Sequence, residues 1–148
     1  ARRDKIESIY KRNVHDYVPF YFNPRNAMMY RNKNEDIIVL AFSKKLFLQN
    51  NIIFTNKNAS ADNVEFFNSA SQLENLKWNY VWSDSWNSKS NAMEVKQSMM
   101  SEVLVHSHVS IEHLIGVYAK NESMKKYLMK HYSLPSNKIQ INANMFFA

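Results

Sequence analysis

Two segments of the chain carry the residue types that chemistry needs. His15 to Tyr30, HDYVPFYFNPRNAMMY, gathers Tyr17, Phe20, Tyr21, Phe22 and Tyr30 around Pro19, Pro24 and Arg25. Ser101 to Val105, SEVLV, sets the carboxylate of Glu102 against an apolar, β-type run. Aromatic faces stack on flat rings, and a planar guanidinium grips phosphate oxygens in pairs. A fixed carboxylate stabilises positive charge developing beside it. Strand alternation puts Glu102 on the face of Leu104, and an unpaired buried carboxylate is expensive, so Glu102 either points into a cleft or meets a partner. From the pattern alone, a strand-edge salt bridge competes with a catalytic role.

Other candidates carry two readings each. Tyr17 to Phe22 is extended in character, so alternate side chains face opposite sides and about half of them belong to a core. His15, Tyr17, Phe20 and Tyr21 offer stacking and hydrogen bonding to a nucleotide, and Arg25 either grips phosphate or anchors a turn. Trp78, Trp82 and Trp86 recur every four residues, which on a helix makes a buried stripe. Their neighbours Lys77, Asn79, Ser83, Asp84, Ser85, Asn87 and Ser88 are too polar for a deep core helix, so a stacking platform for unpaired bases stands beside the buried stripe as a second reading. His106 and His108 flank Ser107 in what reads as a surface turn, and the five histidines form no metal-binding pattern.

These residues need elements to hold them. Ile37 to Phe42 and Ile52 to Thr55 read as strands, Ala61 to Phe67 as a short helix, and Asn75 to Met93 as a loop with helical turns. Glu102 to Val105 and Ile115 to Ala119 read as strands, Glu122 to Tyr132 as a helix capped by Asn121, and Lys138 to Ile141 as a closing strand. Strands mixed with short helices, without regular βαβ alternation, predict an α+β fold with a mainly antiparallel or split sheet.

Composition excludes several function classes. The 148 residues suit one domain, and no apolar run reaches the roughly 18 residues of a membrane span. No secretory pattern stands at the N-terminus, so the expectation is a cytoplasmic protein. Cysteine is absent, which removes thiolate nucleophiles and cysteine-based zinc sites and fits a reducing compartment. Gly116 is the single glycine, so neither a P-loop nor a dinucleotide fingerprint can form, and side chains must hold any nucleotide. The net charge of +6 is concentrated in residues 1–33, where eight basic and three acidic residues give +5. Such a patch favours a polyanion partner, although a solvated face explains it equally well.

Both opening segments closely resemble the DarT family, bacterial toxins that transfer ADP-ribose from NAD to bases in single-stranded DNA. SEVLV fits the family's A/S-E-x-L-V context for its catalytic glutamate, and Phe22 to Tyr30 fits F-x-P-R-x-x-M-x-Y, which adds Met28 to the candidates. The resemblance implies an ADP-ribosyltransferase-like split antiparallel sheet with short helices, with Glu102 catalytic. An active-site arginine a short distance before HDYVPFYF corresponds to Arg2 or Arg3, between which the motif does not choose. It further implies NAD contacts from His15, Tyr17, Phe20, Tyr21 and Arg25, with no metal. DNA contacts are implied for Trp78, Trp82, Trp86, Met28 and Tyr30, and for Asn58. Asn58 is the retained residue of a T/S-D-x-N-A segment that reads Thr55-Asn56-Lys57-Asn58-Ala59 here, departing at Asn56. Family members have further sequence before the matched part, so a single domain over residues 1–148 lacking an N-terminal strand is expected. The implied substrate is single-stranded DNA, with thymine as the base, and the implied partner a macrodomain antitoxin like DarG. A monomer that binds no membrane is expected. Modification of guanine or RNA, a phage-defence role for the same enzyme, and a non-catalytic single-strand-binding module are the rival readings.

Overall fold

The computed structural model describes residues 4–87 and 90–148. Among them lie strands β1 (Tyr17–Tyr21), β2 (Val39–Phe42), β3 (Ile52–Thr55), β4 (Phe66–Phe67), β5 (Glu102–His106), β6 (Leu114–Ala119) and β7 (Ile139–Ile141). The helices are α1 (Ala27–Arg31), α2 (Trp78–Val81), α3 (Ala92–Ser98) and α4 (Glu122–Tyr132), interspersed with short 3-10 segments. The strands form two separate sheets, ordered β1-β5-β3-β4 and β2-β6-β7. This is the expected α+β class with a split sheet and short helices. One pair departs from the antiparallel expectation: β6 and β7 run parallel, because α4 lies between them as a crossover.

β5 occupies the interior of the larger sheet and explains the unbroken apolar run. It pairs with β1 from Tyr21↔Glu102 to Tyr17↔His106, and with β3 from Phe54↔Val103 to Ile52↔Val105. Both faces are covered. Val103 and Val105 pack with Leu46, Ile52, Phe54, Phe67 and Leu76, while Leu104 packs with Val14, Tyr17, Ile53, Ala59 and Phe66. Each such side chain contributes roughly 1.5–3 kcal/mol on burial.

Ala61 to Phe67 does not form the expected helix. Phe66 and Phe67 instead pair with Thr55 and Phe54, and the Phe54 and Phe67 rings lie 5.3 Å apart. Seven residues nucleate a helix poorly, and strand pairing buries both aromatics at once. Asn75 to Met93 contains all of α2 and the start of α3. α4 matches its sequence pattern: the Asn121 side chain accepts the Met124 N–H at 2.9 Å, and Leu128 is buried against Val117, Ala119 and Ile139. It ends at Ser133, whose φ of 53° is left-handed. No helix among the described residues is long and apolar enough to cross a membrane.

Candidate active site

Glu102 is the first residue of β5 and has no exposed surface. Its carboxylate is held by backbone: Oε2 accepts the Ala59 N–H at 2.6 Å. Its main chain is held by a side chain, since the Thr55 hydroxyl accepts the Glu102 N–H at 3.0 Å and donates to the Lys57 carbonyl at 2.6 Å. The segment Thr55 to Ala59 therefore wraps the glutamate from β3. Asn58 sits inside this wrap and shapes it, its side-chain oxygen accepting from the Ser60 N–H at 3.0 Å and from the Ser60 hydroxyl. A carboxylate fixed this way needs little reorganisation when charge develops beside it.

β1 lays the aromatic residues out on two faces. Tyr21 is the cross-strand partner of Glu102 and stands on the same face. Tyr17 shares that face but pairs with His106 at the other end, roughly 13 Å along an extended strand. His15 lies beyond Tyr17, exposed, in a 3-10 turn. The structure thus brings Tyr21 to Glu102 and leaves His15 and Tyr17 at the far end of the strand. Phe20 takes the opposite face, edge-to-face with Phe42 at 5.0 Å, and Phe22 packs there against Trp78 at 5.2 Å.

Tyr17 is held by a second buried carboxylate. Glu7 is fully buried, and its oxygens accept the N–H groups of Ile9, Tyr10 and Arg12 at 2.6–3.1 Å and the Tyr17 hydroxyl at 3.3 Å. The turn before β1 is wound around this side chain. Burial pushes the Tyr17 phenol up to about 12, opposed by a hydrogen bond from Arg12 and aided by the charge of Glu7.

A large cleft opens between the sheets. β1 is an edge of one sheet and β2 an edge of the other, and both line a mostly apolar space of about 1320 Å³. Of the expected site residues, Phe20, Tyr21, Met28 and Trp82 line it, together with Phe22, Leu40 and Tyr118. The cleft exceeds the usual range of small-molecule sites and has room for a dinucleotide.

A second cluster forms where sequence assigned separate roles. The Arg25 guanidinium lies 4.1 Å above the Phe147 ring and donates to the Asp84 carbonyl. Phe147 meets Tyr30 edge-to-face at 5.2 Å and Trp86 at 6.1 Å, and Tyr30 and Trp86 meet at 5.8 Å. Lys33 and Lys96 sit over Tyr30 and Trp86 at 4.9 Å and 5.7 Å. Three rings and three cations therefore share one surface, held by cation–π and edge-to-face contacts.

The tryptophans divide. Trp78 packs against the core and donates its indole N–H to the Leu73 carbonyl at 2.9 Å. Trp82 stacks on Trp78 with ring centres 6.5 Å apart and is 57% exposed. α2 ends at Val81, so the four-residue spacing makes no continuous stripe. Arg2 and Arg3 lie outside the described residues. Thr55, the Ala59 amide, Glu7 and Phe147 are site-building residues that sequence reasoning missed. The T-N-K-N-A segment held a signal for the first two, but nothing local marks Glu7 or Phe147. Among the described residues, no three His, Asp or Glu gather as a metal site.

A DNA ADP-ribosyl transferase of Escherichia coli O127:H6 is 23% identical over 127 residues, covering 78% of this chain and 58% of that protein. A DNA ADP-ribosyl transferase–DNA ADP-ribosyl glycohydrolase fusion protein of Thermosipho africanus is 22% identical over 155 residues, covering 90% of this chain and 39% of its own length. The chain spans about half the length of the curated relatives it matches. The fold matches that of Thermus sp. 2.9 DarT, solved in complex with ADP-ribosylated single-stranded DNA, with a TM-score of 0.85 at 19% identity over 99% of this chain and 77% of that one. The same protein solved with NAD+ gives 0.83, also at 19% identity, over 99% of this chain and 80% of that one. The family model described as ssDNA thymidine ADP-ribosyltransferase, DarT, matches residues 1–147, and this chain belongs to that family.

Proposed function

We propose that this chain transfers ADP-ribose from NAD to a base of single-stranded DNA, with thymine as the favoured base. The observation that carries this reading is the Glu102 carboxylate, fixed by the Ala59 amide and the Thr55 wrap and paired across the strands with Tyr21, which lines the cleft between the sheets although the buried Glu102 does not. NAD lying in that cleft approaches Glu102 past Tyr21, the residue that both lines the cleft and shares the face of the carboxylate. Breaking the nicotinamide–ribose bond sends the bonding pair to nicotinamide and leaves oxocarbenium character on the ribose, which Glu102 stabilises. A ring nitrogen of the base attacks the same carbon, and its proton passes to Glu102 or to water. Phe20 and Tyr21 border the cofactor, either Arg2 or Arg3 serves its charged parts, and Arg25, seated over Phe147 and not lining the cleft, stands with the DNA side. Tyr30, Trp82, Trp86 and Met28 receive the DNA.

A macrodomain-type antitoxin that removes the modification is the proposed partner. The Thermosipho africanus relative supports this, because its name joins transferase and glycohydrolase in one protein. Action as a monomer is part of the same reading, and the two proposed substrates, NAD and single-stranded DNA, support action in the cytoplasm. The test is incubation with NAD and oligonucleotides of defined sequence, followed by mass spectrometry. Addition of one ADP-ribose to a thymine is expected. Addition to guanine or RNA would change the substrate, and DNA binding without any addition would refute the transferase reading.

A further inference from the structure

The charge that sequence concentrates in residues 1–33 has a counterpart elsewhere. Residues 120–138 hold five lysines against the one acid Glu122. α4 uses Leu128 and Met124 to pack on the smaller sheet, leaving Tyr127 49% exposed and Tyr132 65% exposed. The Tyr127 and His131 rings lie 4.2 Å apart at 34°, a tilted pair open to solvent. Lys130 is three residues from Tyr127 on the same helical face, and Lys126 precedes Lys130 by one turn. Among the described residues, no acidic side chain forms an ion pair with either lysine.

This face is continuous with the Tyr30–Trp86–Phe147 cluster. A cavity of about 200 Å³ is lined by Phe147, Tyr127, Lys33 and Lys120, and the Lys120 ammonium donates to the Phe147 carbonyl at 2.8 Å, tying the two regions together. Glu35 and Asp36 also line it, which disfavours a phosphate inside and suits the donor groups of a base. The lysines outside the cavity are then the phosphate contacts. We propose that this surface is a second single-stranded DNA site, which carries nucleotides flanking the modified one from the Phe147 cluster onto α4. The proposal rests on single-stranded DNA being the substrate. It assigns base stacking to Tyr127 and His131 and phosphate contacts to Lys126 and Lys130.

The experiment titrates the wild type, Tyr127→Ala and the double variant Lys126→Ala/Lys130→Ala against DNA strands of about 4 and about 16 nucleotides, the range that single-strand sites span. Titrations are run at several salt concentrations, with a thermal melt for each variant. The long strand should bind the wild type more tightly than the short one. Tyr127→Ala should lose affinity for the long strand alone, by roughly 5- to 150-fold, as for one lost base stack. The double lysine variant should lower the salt slope for the long strand by about 1.4, from two lost phosphate contacts. Binding and modification of the short strand should not change. Variants that bind the long strand like wild type, or that lose both strands equally, would overturn the proposal, as would the same effect on RNA alone. A wild type that binds both strands with these length-dependent effects but modifies neither would sink the transferase reading and support this surface.

Discussion

Replacing Glu102 separates charge from structure, provided the right residue is chosen. Glu102→Ala leaves the Ala59 N–H without its acceptor in a fully buried place. That costs about 1–3 kcal/mol, before the cavity is counted. At about 2–4 °C per kcal/mol for a chain of this size, Tm should fall by roughly 2–12 °C. An inactive alanine variant would therefore prove little. Glu102→Gln keeps the volume, and its amide oxygen can still accept from Ala59, so Tm should stay within about 3 °C of wild type. What it loses is the charge that the proposed mechanism sets against the developing oxocarbenium ion. One preorganised electrostatic contact of this kind is worth roughly 2.7–4 kcal/mol, a hundred- to a thousand-fold in rate. The assay is single-turnover transfer from NAD to an oligonucleotide read by mass spectrometry, with DNA affinity and Tm measured on the same preparation. Expected is a large fall in rate at unchanged affinity and Tm. A glutamine variant that transfers near the wild-type rate refutes the catalytic assignment. One that melts as early as the alanine variant makes the charge structural.

The wrap around Glu102 predicts that Thr55→Val, which strips the acceptor from the Glu102 N–H and the donor from the Lys57 carbonyl, costs roughly 2–4 kcal/mol, whereas Thr55→Ser is nearly neutral. Equal urea midpoints for the two would dismiss the wrap. The tryptophans should divide as their environments do: Trp78→Ala should lower Tm strongly, and Trp82→Ala should keep Tm but weaken DNA binding by about 1–3 kcal/mol. Fluorescence titrations and melts of both would decide. Tyr17 makes stability depend on alkaline pH: unfolded tyrosine ionises at 10.0, but the buried residue keeps its proton to about 12. Its contribution is intact below pH 10 and is lost through that window, at roughly 1.4 kcal/mol per pH unit. Tyr17→Phe should flatten the denaturation profile there, and identical slopes for the two proteins would contradict this.

The linear pattern was enough to read the elements whose signals are local. The SEVLV run, the extended Tyr17 to Tyr21 and the Asn121-capped α4 all carry their own periodicity or cap, so they appear where the residues say. Gly116 as the single glycine excludes glycine-loop nucleotide sites from composition alone. The split sheet and the family followed from motifs whose chemistry is carried by side chains. What the chain does at a distance needed the tertiary structure. Phe66 and Phe67 became a strand because β3 offered partners, which outweighed weak local helix signals. The two faces of β1 could be counted from sequence, but only the pairing of Tyr21 with Glu102 decided which face meets the carboxylate. The Ala59 amide, the Glu7 carboxylate and the Phe147 ring act across 43, 10 and 122 residues of chain, on Glu102, Tyr17 and Arg25. Contacts over such separations leave no periodic trace in the sequence, because they are set by how sheets and turns close in space.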